Sequence, residues 1–443
     1  MAPQRPCAGA GGCGLEGRVN RVDPASGERQ PLLRRLGPGL ITGAADDDPS
    51  GIATYSQAGA QFGLNMLWTV AFTYPLMVAI QLISARIGRV TGAGLGANLR
   101  RVFPAPVVAV LVALLFVANT INIGADIAAM GAAAQLMTGW SAAAFTVVFA
   151  LGSLGLQLFV PYHRYVRLLK WLTLALFAYV GVVFTVHIDW PRVVARTLSP
   201  QIELTGPALT VIVAVFGTTI SPYLFFWQSS EEVEELEANH GADLLHESAP
   251  RAEQELARIR WDTFTGMAFS NLVAFFIILT TAVTLHEAGV TDIQTSAQAA
   301  EALRPIAGPL AFALFALGII GTGFLAVPVL AGSAAYAIGE ARGWKTGLEY
   351  SPRDAGAFYA VIVAAMLLAI GVVFSPLDPI RILFWSAVLN GVISVPIMAA
   401  MMIVASRRQE MGRYVATTGQ RLFGWTATGV MALAVAAMFA FML

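Results

Sequence analysis

Eleven runs of mostly apolar residues, each long enough to cross a lipid bilayer as a helix, punctuate this chain. A spanning helix needs about 20 such residues. The runs fall at about 36–62, 65–88, 104–136, 141–160, 166–187, 207–230, 262–285, 308–338, 356–375, 380–405 and 421–442. In hydrocarbon only a helix or a closed barrel satisfies every backbone polar group, and these runs have helical length. An all-α polytopic membrane protein is therefore expected. Composition agrees: 57% of the 443 residues are hydrophobic and 12% charged, with a mean hydropathy of +0.68. Soluble domains are roughly 45–50% apolar and 25% charged. An ordinary cytosolic enzyme, a nucleic-acid binder and a disordered scaffold are excluded. Most connections are short, so one compact bundle is expected, working as a monomer in the lipid bilayer.

The distribution of Lys and Arg orients the bundle. With the N-terminus inside, the cytoplasmic segments hold 23 of the 27 basic residues. The other side holds Arg192, Arg196, Arg304 and Arg381. A cytoplasmic N-terminus, an external C-terminus and a place in the inner (plasma) membrane follow as expectations. Residues 1–35 read as a cytoplasmic tail without the apolar core of a signal peptide. Both cysteines, Cys7 and Cys13, lie there, so no thiol cluster is expected in the membrane. The long polar connection 231–260 opens with Glu231, Glu232, Glu234, Glu235 and Glu237 and reads as a solvated, partly helical linker.

The apolar pattern is violated most severely in the first span. There Ala45-Asp46-Asp47-Asp48-Pro49-Ser50-Gly51 puts three carboxylates and a proline inside a segment that must cross the bilayer. Each charge at that depth costs several kcal/mol, and Pro49 cannot continue a straight helix. Such backbone survives only where it is buried in protein or lines a wet cavity. The sixth span is interrupted likewise, by Gly217-Thr218-Thr219-Ile220-Ser221-Pro222-Tyr223. Breaks in the first and sixth spans predict two five-helix halves of inverted topology, about 36–187 and 207–405. An extra helix at about 421–442 completes the transporter region 36–443. Secondary transporters built this way bind substrate at the midplane between the broken helices. Few other spans carry polar residues. In the third, Asp126 is a buried-carboxylate candidate, alternatively an interhelical hydrogen-bond or ion-pair partner, and Asn122 reads chiefly as interhelical packing. Asn119, Asn271 and Asn390 read chiefly as interhelical packing, and Met398, Met401 and Met402 as lipid-facing filler. Gly318, Gly321 and Gly323 read as close-approach positions.

At these residues the sequence resembles the natural resistance-associated macrophage protein (Nramp) family, over nearly all of the chain from about Pro38 onward. The resemblance implies a LeuT-like inverted repeat of 5+5 helices plus an eleventh, and ion transport by alternating access. Asp48-Pro49-Ser50-Gly51 is similar to the family's Asp-Pro-Gly-Asn, and Gly217 to Leu224 to its sixth-helix segment ending Met-Pro-His-Asn. Asp126-Ile127-Ala128-Ala129 is similar to a third-helix Asp-Leu-Ala-Glu used in proton transfer, which makes Asp126 and Asn122 the implied candidates for a proton or polar relay. Asp48 then matches the metal-binding aspartate. Gly51 replaces an asparagine, Ser221 a metal-selecting methionine, Gln228 a histidine and Ala129 the relay glutamate. The substrate set implied is Asp48, Ser50, Gly51, Thr218, Ser221 and Tyr223, with Asp46, Asp47, Gln228 and Asn390 in support.

Without a thioether the site favours a hard ion, since carboxylate, carbonyl and water select hard cations. Transport of magnesium with weak or no proton coupling is the leading expectation. A small anion such as bicarbonate, with or without a co-bound cation, is the alternative. A membrane sensor without transport and a standard manganese/proton symporter remain open. The sequence carries no nucleophile or phosphate loop, so neither an enzyme nor a cofactor is expected.

Overall fold

The computed structural model describes residues 42–43, 45–160, 175–238, 249–373 and 378–442. The expected tail 1–35, with both cysteines, and much of the fifth span lie outside the described residues. Every regular element among the described residues is helical. Eight segments are long and apolar enough to cross a membrane, and Gly356–Gly371 is a shorter apolar helix. The longest, Pro49–Thr91, joins two of the expected spans.

The first helical stretch contains Thr42, Gly43, Ala45 and Asp46, unwinds at Asp47 and Asp48, and resumes as α1 (Pro49–Phe62). Asp48 has an extended backbone and caps α1 with its own carboxylate, while Pro49 takes the first-turn position that needs no N–H donor. The chain turns at Gly63, whose φ of 56° suits a residue without Cβ. It then returns as α2 (Leu67–Thr91).

That reversal shows against the long helix α10 (Ala249–Thr281). A Cβ on Gly43 would strike Gly266, and one on Gly59 would strike Thr281, so the first span runs parallel to α10. Going the other way, Asn271 of α10 meets Met77 and Glu255 meets Arg89 of α2.

Between them lie α3 (Leu95–Val102), α4 (Ala105–Thr138), α5 (Ala142–Phe159), α6 (Phe177–Val182) and α7 (Trp190–Leu198). The sixth span is α8 (Gly206–Thr219) and α9 (Pro222–Ala238), broken at Ile220 and Ser221. After α10 come α11 (Ser296–Glu301), α12 (Ala311–Arg342), α13 (Gly356–Val373), α14 (Pro379–Ser406) and α15 (Thr418–Met442). The two broken spans run antiparallel, side by side. Thr42 meets Gln228, Ala45 meets Tyr223, and Gly51 faces Thr218.

Lipid tails are as apolar as leucine, so packing and polar contacts hold the bundle, not burial from water. Small residues let backbones touch. A Cβ on Gly217 of α8 would collide with Ala387 O and Gly391 of α14. Gly323 of α12 lies as tightly on Met130 of α4. Asn119 bridges α4 to α12 by donating to Leu330 O and Ser333 Oγ, both at 2.8 Å, and Asn271 fixes α10 on α2; both serve packing as expected.

Two expectations are corrected. Met398, Met401 and Met402 are fully buried, and Met402 lies where a Cβ on Gly424 would fall. An unbranched thioether fills a helix crossing as readily as it faces lipid. The acidic run 231–237 is not a solvated linker but the continuation of α9. Glu232 is fully buried and pairs with Arg258 (3.1 Å), which also binds Glu235 (2.9 Å) and Glu255 (3.1 Å). Residues 239–248 lie outside the described residues.

Candidate functional site

Asp48 is the hub of the break in the first span. Its Oδ1 accepts from Ser50 Oγ (2.6 Å) and from the Gly51 N–H (2.7 Å). Its Oδ2 accepts from Asn122 Nδ2 of α4 (2.9 Å). Asn122 is itself oriented by α14, because Ser386 Oγ donates to its Oδ1 (2.6 Å). Thus three helices fix one carboxylate, which is 1% exposed.

Gly51 completes this wall by lacking a side chain. A Cβ there would lie 3.2 Å from Thr218 Oγ1, 3.4 Å from the Tyr55 ring and 3.5 Å from the Asp46 carbonyl. The space an asparagine would need is already bordered by Thr218 and Tyr55. Across the gap, α8 ends at Thr219, and the Ser221 hydroxyl donates back to Gly217 O (2.9 Å) and Thr218 O (2.7 Å). The helix end therefore brings carbonyl-rich, partly negative backbone to the level of Asp48. Tyr223 donates to Ala45 O (3.2 Å), stitching the two breaks together.

The other sequence-derived residues spread around this hub. Asp46 and Asp47 face α10, where Ser270 Oγ donates to Asp46 Oδ2 (2.5 Å) and lies 3.1 Å from Asp47 Oδ1. Asp126 is fully buried, near Asp48 and beside the Ser50 backbone. Asn390, also buried, lies one turn beyond Ser386 on α14, with its Oδ1 unpartnered. Gln228 has a different neighbourhood. It accepts from Thr42 (2.6 Å) and donates to Glu232 (3.4 Å), linking the first span to the Glu232–Arg258 ion pair. Ser270 and Ser386 were not singled out from sequence. A lone serine in an apolar run gives no signal there, although Ser386 stands four residues before Asn390.

Among the described residues, no three carboxylate, histidine or cysteine side chains converge as a metal cage. Asp48 instead stands with the Ser50 hydroxyl, the Gly51 N–H and the Asn122 amide nitrogen as its donors, and with the Thr218 hydroxyl beside Gly51. On the Gln228 side the site is closed by Thr42, Gln228, Glu232 and Arg258. On the other side a cavity of about 500 Å³ opens between α1, α8 and α14, lined in part by Gln57, Gln61, Asp292, Arg381, Trp385 and Phe441.

Residues 39–440 match the model of the "Natural resistance-associated macrophage protein-like" family. The divalent metal cation transporter MntH of Klebsiella pneumoniae (strain 342) is 27% identical over 425 residues, covering 93% of this chain and 95% of that protein. The MntH of Burkholderia ambifaria is 27% identical over 442 residues, covering 96% and 91%. The manganese transporter of Eremococcus coleocola, solved with an aromatic bis-isothiourea compound, shares the fold. Its TM-score is 0.70 at 16% identity over 92% of this chain and 87% of that one. Mhp1, a nucleobase-cation-symport-1 transporter in a closed conformation, aligns with a TM-score of 0.57 at 12% identity, covering 92% of each chain. Broken spans set antiparallel, a polar hub between them and a match over nearly the whole length agree: the chain is a multi-pass membrane transporter of LeuT-like fold and belongs to the Nramp family.

Proposed function

We propose that this protein moves a hard divalent cation of the magnesium class by alternating access, with Asp48 as the substrate-proximal carboxylate. The observation that carries the reading is the donor set. Ser50 and Asn122 donate to Asp48, Thr218 Oγ1 borders Gly51, and Tyr223 reaches Ala45 O; with Ser221 at the end of α8, the set assigned to the site holds only oxygen ligands and the donors that orient them. Magnesium keeps several waters and needs only one or two carboxylates, so a site with a single convergent Asp suits it. Soft ligands that would favour manganese, iron or cadmium are missing from this set. The divalent cation transporters among the relatives support the ionic class but carry no selectivity to this chain.

Charge separates this reading from the anion alternative. Asp46, Asp47, Asp48 and Asp126 are all buried around the break. Among the described residues Arg89 is the buried basic side chain, and it pairs with Glu255 at the far end of α2. An unpaired buried carboxylate costs several kcal/mol, so the region favours arriving positive charge. Moreover, the α1 N-terminus is not free to seat bicarbonate, because Asp48 itself accepts the Gly51 N–H.

Proton coupling is weak in this proposal. Ala129 follows Asp126 on α4 where a titratable partner would be required, and Gln228 is an amide held between Thr42 and Glu232. The inward side is the one rich in Lys and Arg, with the N-terminus cytoplasmic. Functional boundaries at about 36 and 443 and a monomeric unit complete the proposal. Flux into proteoliposomes tests it, with magnesium, manganese, cadmium, sodium and bicarbonate run in parallel. Magnesium uptake unaffected by excess cadmium is expected. Tight cadmium or manganese binding, or bicarbonate uptake without a divalent ion, would overturn it.

A further inference from the structure

A second cavity, of about 350 Å³, lies far from the Asp48 hub and takes no part in the proposed transport site. It is lined by Leu82 and Arg86 of α2, Glu253, Leu256, Ile259 and Arg260 of α10, and Thr417 and Gln420 at the start of α15. Its volume is at the low end of small-ligand sites, which run from about 300 to 1,000 Å³.

Two guanidinium groups converge on it. Arg86 is held in place, donating through Nε to Tyr414 O (2.8 Å) and through Nη1 to Gln420 Oε1 (3.1 Å). Arg260 is exposed and lies within electrostatic reach of Arg86. Neither arginine forms an ion pair within 4 Å among the described residues. Glu253 is the single acid in the lining, so the cavity carries one net positive charge. The walls are divided by chemistry: Leu82, Leu256 and Ile259 are apolar, whereas Thr417 and Gln420 are polar. The cavity also lies on the side that the Lys/Arg asymmetry assigns to the cytoplasm, near Arg413 and Arg421 in sequence.

We propose that this cavity binds the phosphodiester headgroup of an anionic phospholipid, clamped between Arg86 and Arg260. Basic cavities between helices on the cytoplasmic face are where such headgroups bind. A monoanionic phosphodiester matches the net charge, and the apolar wall accommodates the start of the acyl region. Two arginines on different helices, α2 and α10, would then share one anion, which also binds the α15 start through Gln420 and Thr417.

The test uses the full chain in vesicles of phosphatidylcholine with or without phosphatidylglycerol, read by lipid titration with native mass spectrometry and by thermal unfolding. Each charge near the surface changes such binding by about fivefold. Arg260→Gln should therefore weaken retention of phosphatidylglycerol by about fivefold, and Glu253→Gln should strengthen it by about as much. Arg86→Gln should weaken it further. Because Arg86 also holds Tyr414 and Gln420, its variant is read only beside the other two, whose side chains are exposed. No response to Arg260→Gln and Glu253→Gln overturns the site. Inorganic phosphate that protects the protein in phosphatidylcholine vesicles as well as phosphatidylglycerol does would assign the cavity to a soluble anion and overturn the lipid proposal. Either result leaves the Asp48 reading untouched, since magnesium flux is measured separately.

Discussion

Replacing Asp48 by Asn separates charge from shape at the hub. Asn caps a helix as well as Asp does, so its Oδ1 can keep the Gly51 N–H and the Ser50 hydroxyl. Its new Nδ2 group then faces Asn122 Nδ2, which donated to Asp48 at 2.9 Å. Flipping the Asn122 amide removes that conflict. Ser386 Oγ can then accept from Asn122 and keep its donation to Leu383 O (2.7 Å). The fold loses no more than about one hydrogen bond, or about 1 kcal/mol. The substrate loses far more. At an effective dielectric of about 20, unit charges 4 Å apart interact by about 4 kcal/mol, so a divalent ion gains about 8 kcal/mol from one carboxylate. If returning water offsets half, about 4 kcal/mol of binding disappears, which raises the Kd nearly a thousandfold. Calorimetric titration of magnesium into wild type and Asp48→Asn, with thermal unfolding as the control, measures both numbers. A magnesium Kd within threefold of wild type at unchanged Tm would refute the role given to Asp48. A Tm lowered by more than about 10 °C would instead refute the amide-flip argument.

Three further outcomes follow from the geometry. Ser221→Met places a thioether at the end of α8 and should raise cadmium affinity at least about tenfold by calorimetry, since soft ligands select soft metals. Gly217→Ala should lower stability by about 2–3 kcal/mol, because its Cβ meets the α14 backbone, whereas Gly429→Ala, with open space around it, should leave Tm unchanged. With a pH-sensitive dye inside proteoliposomes, magnesium uptake should proceed without proportional acidification. Acidification that scales with uptake and vanishes in Asp126→Asn would show coupling through Asp126 after all.

Several local features were legible because they break a rule that the membrane enforces. Three aspartates and Pro49 in an apolar run demand a break, and the structure unwinds at Asp47 and Asp48 as that demand requires. The sixth-span break at Ile220 and Ser221 was legible for the same reason. Other features were not. The methionines 398, 401 and 402 give the same apolar signal whether they face lipid or another helix, and packing against α15 and the other helices decided for burial. Five glutamates after span six look solvated in one dimension. Arg258 and Tyr336, remote in sequence, draw Glu232 and Glu234 into ion-pair and hydrogen-bond contacts.

The sequence by itself determined the all-helical membrane class, the two breaks and the presence of a carboxylate at the first of them. Those follow from local costs: hydrocarbon forbids unsatisfied backbone, and proline and charge at depth interrupt a helix wherever they occur. Only the tertiary structure decided which way each carboxylate turns. Asp48 faces Asn122 of α4, whereas Asp46 and Asp47 face Ser270 of α10, although the three are adjacent in the chain. Where the helix unwinds after Asp46, successive side chains lose their fixed angular spacing. Their directions are therefore set by donors on other helices, and those donors are brought to one level by the packing of distant parts of the chain.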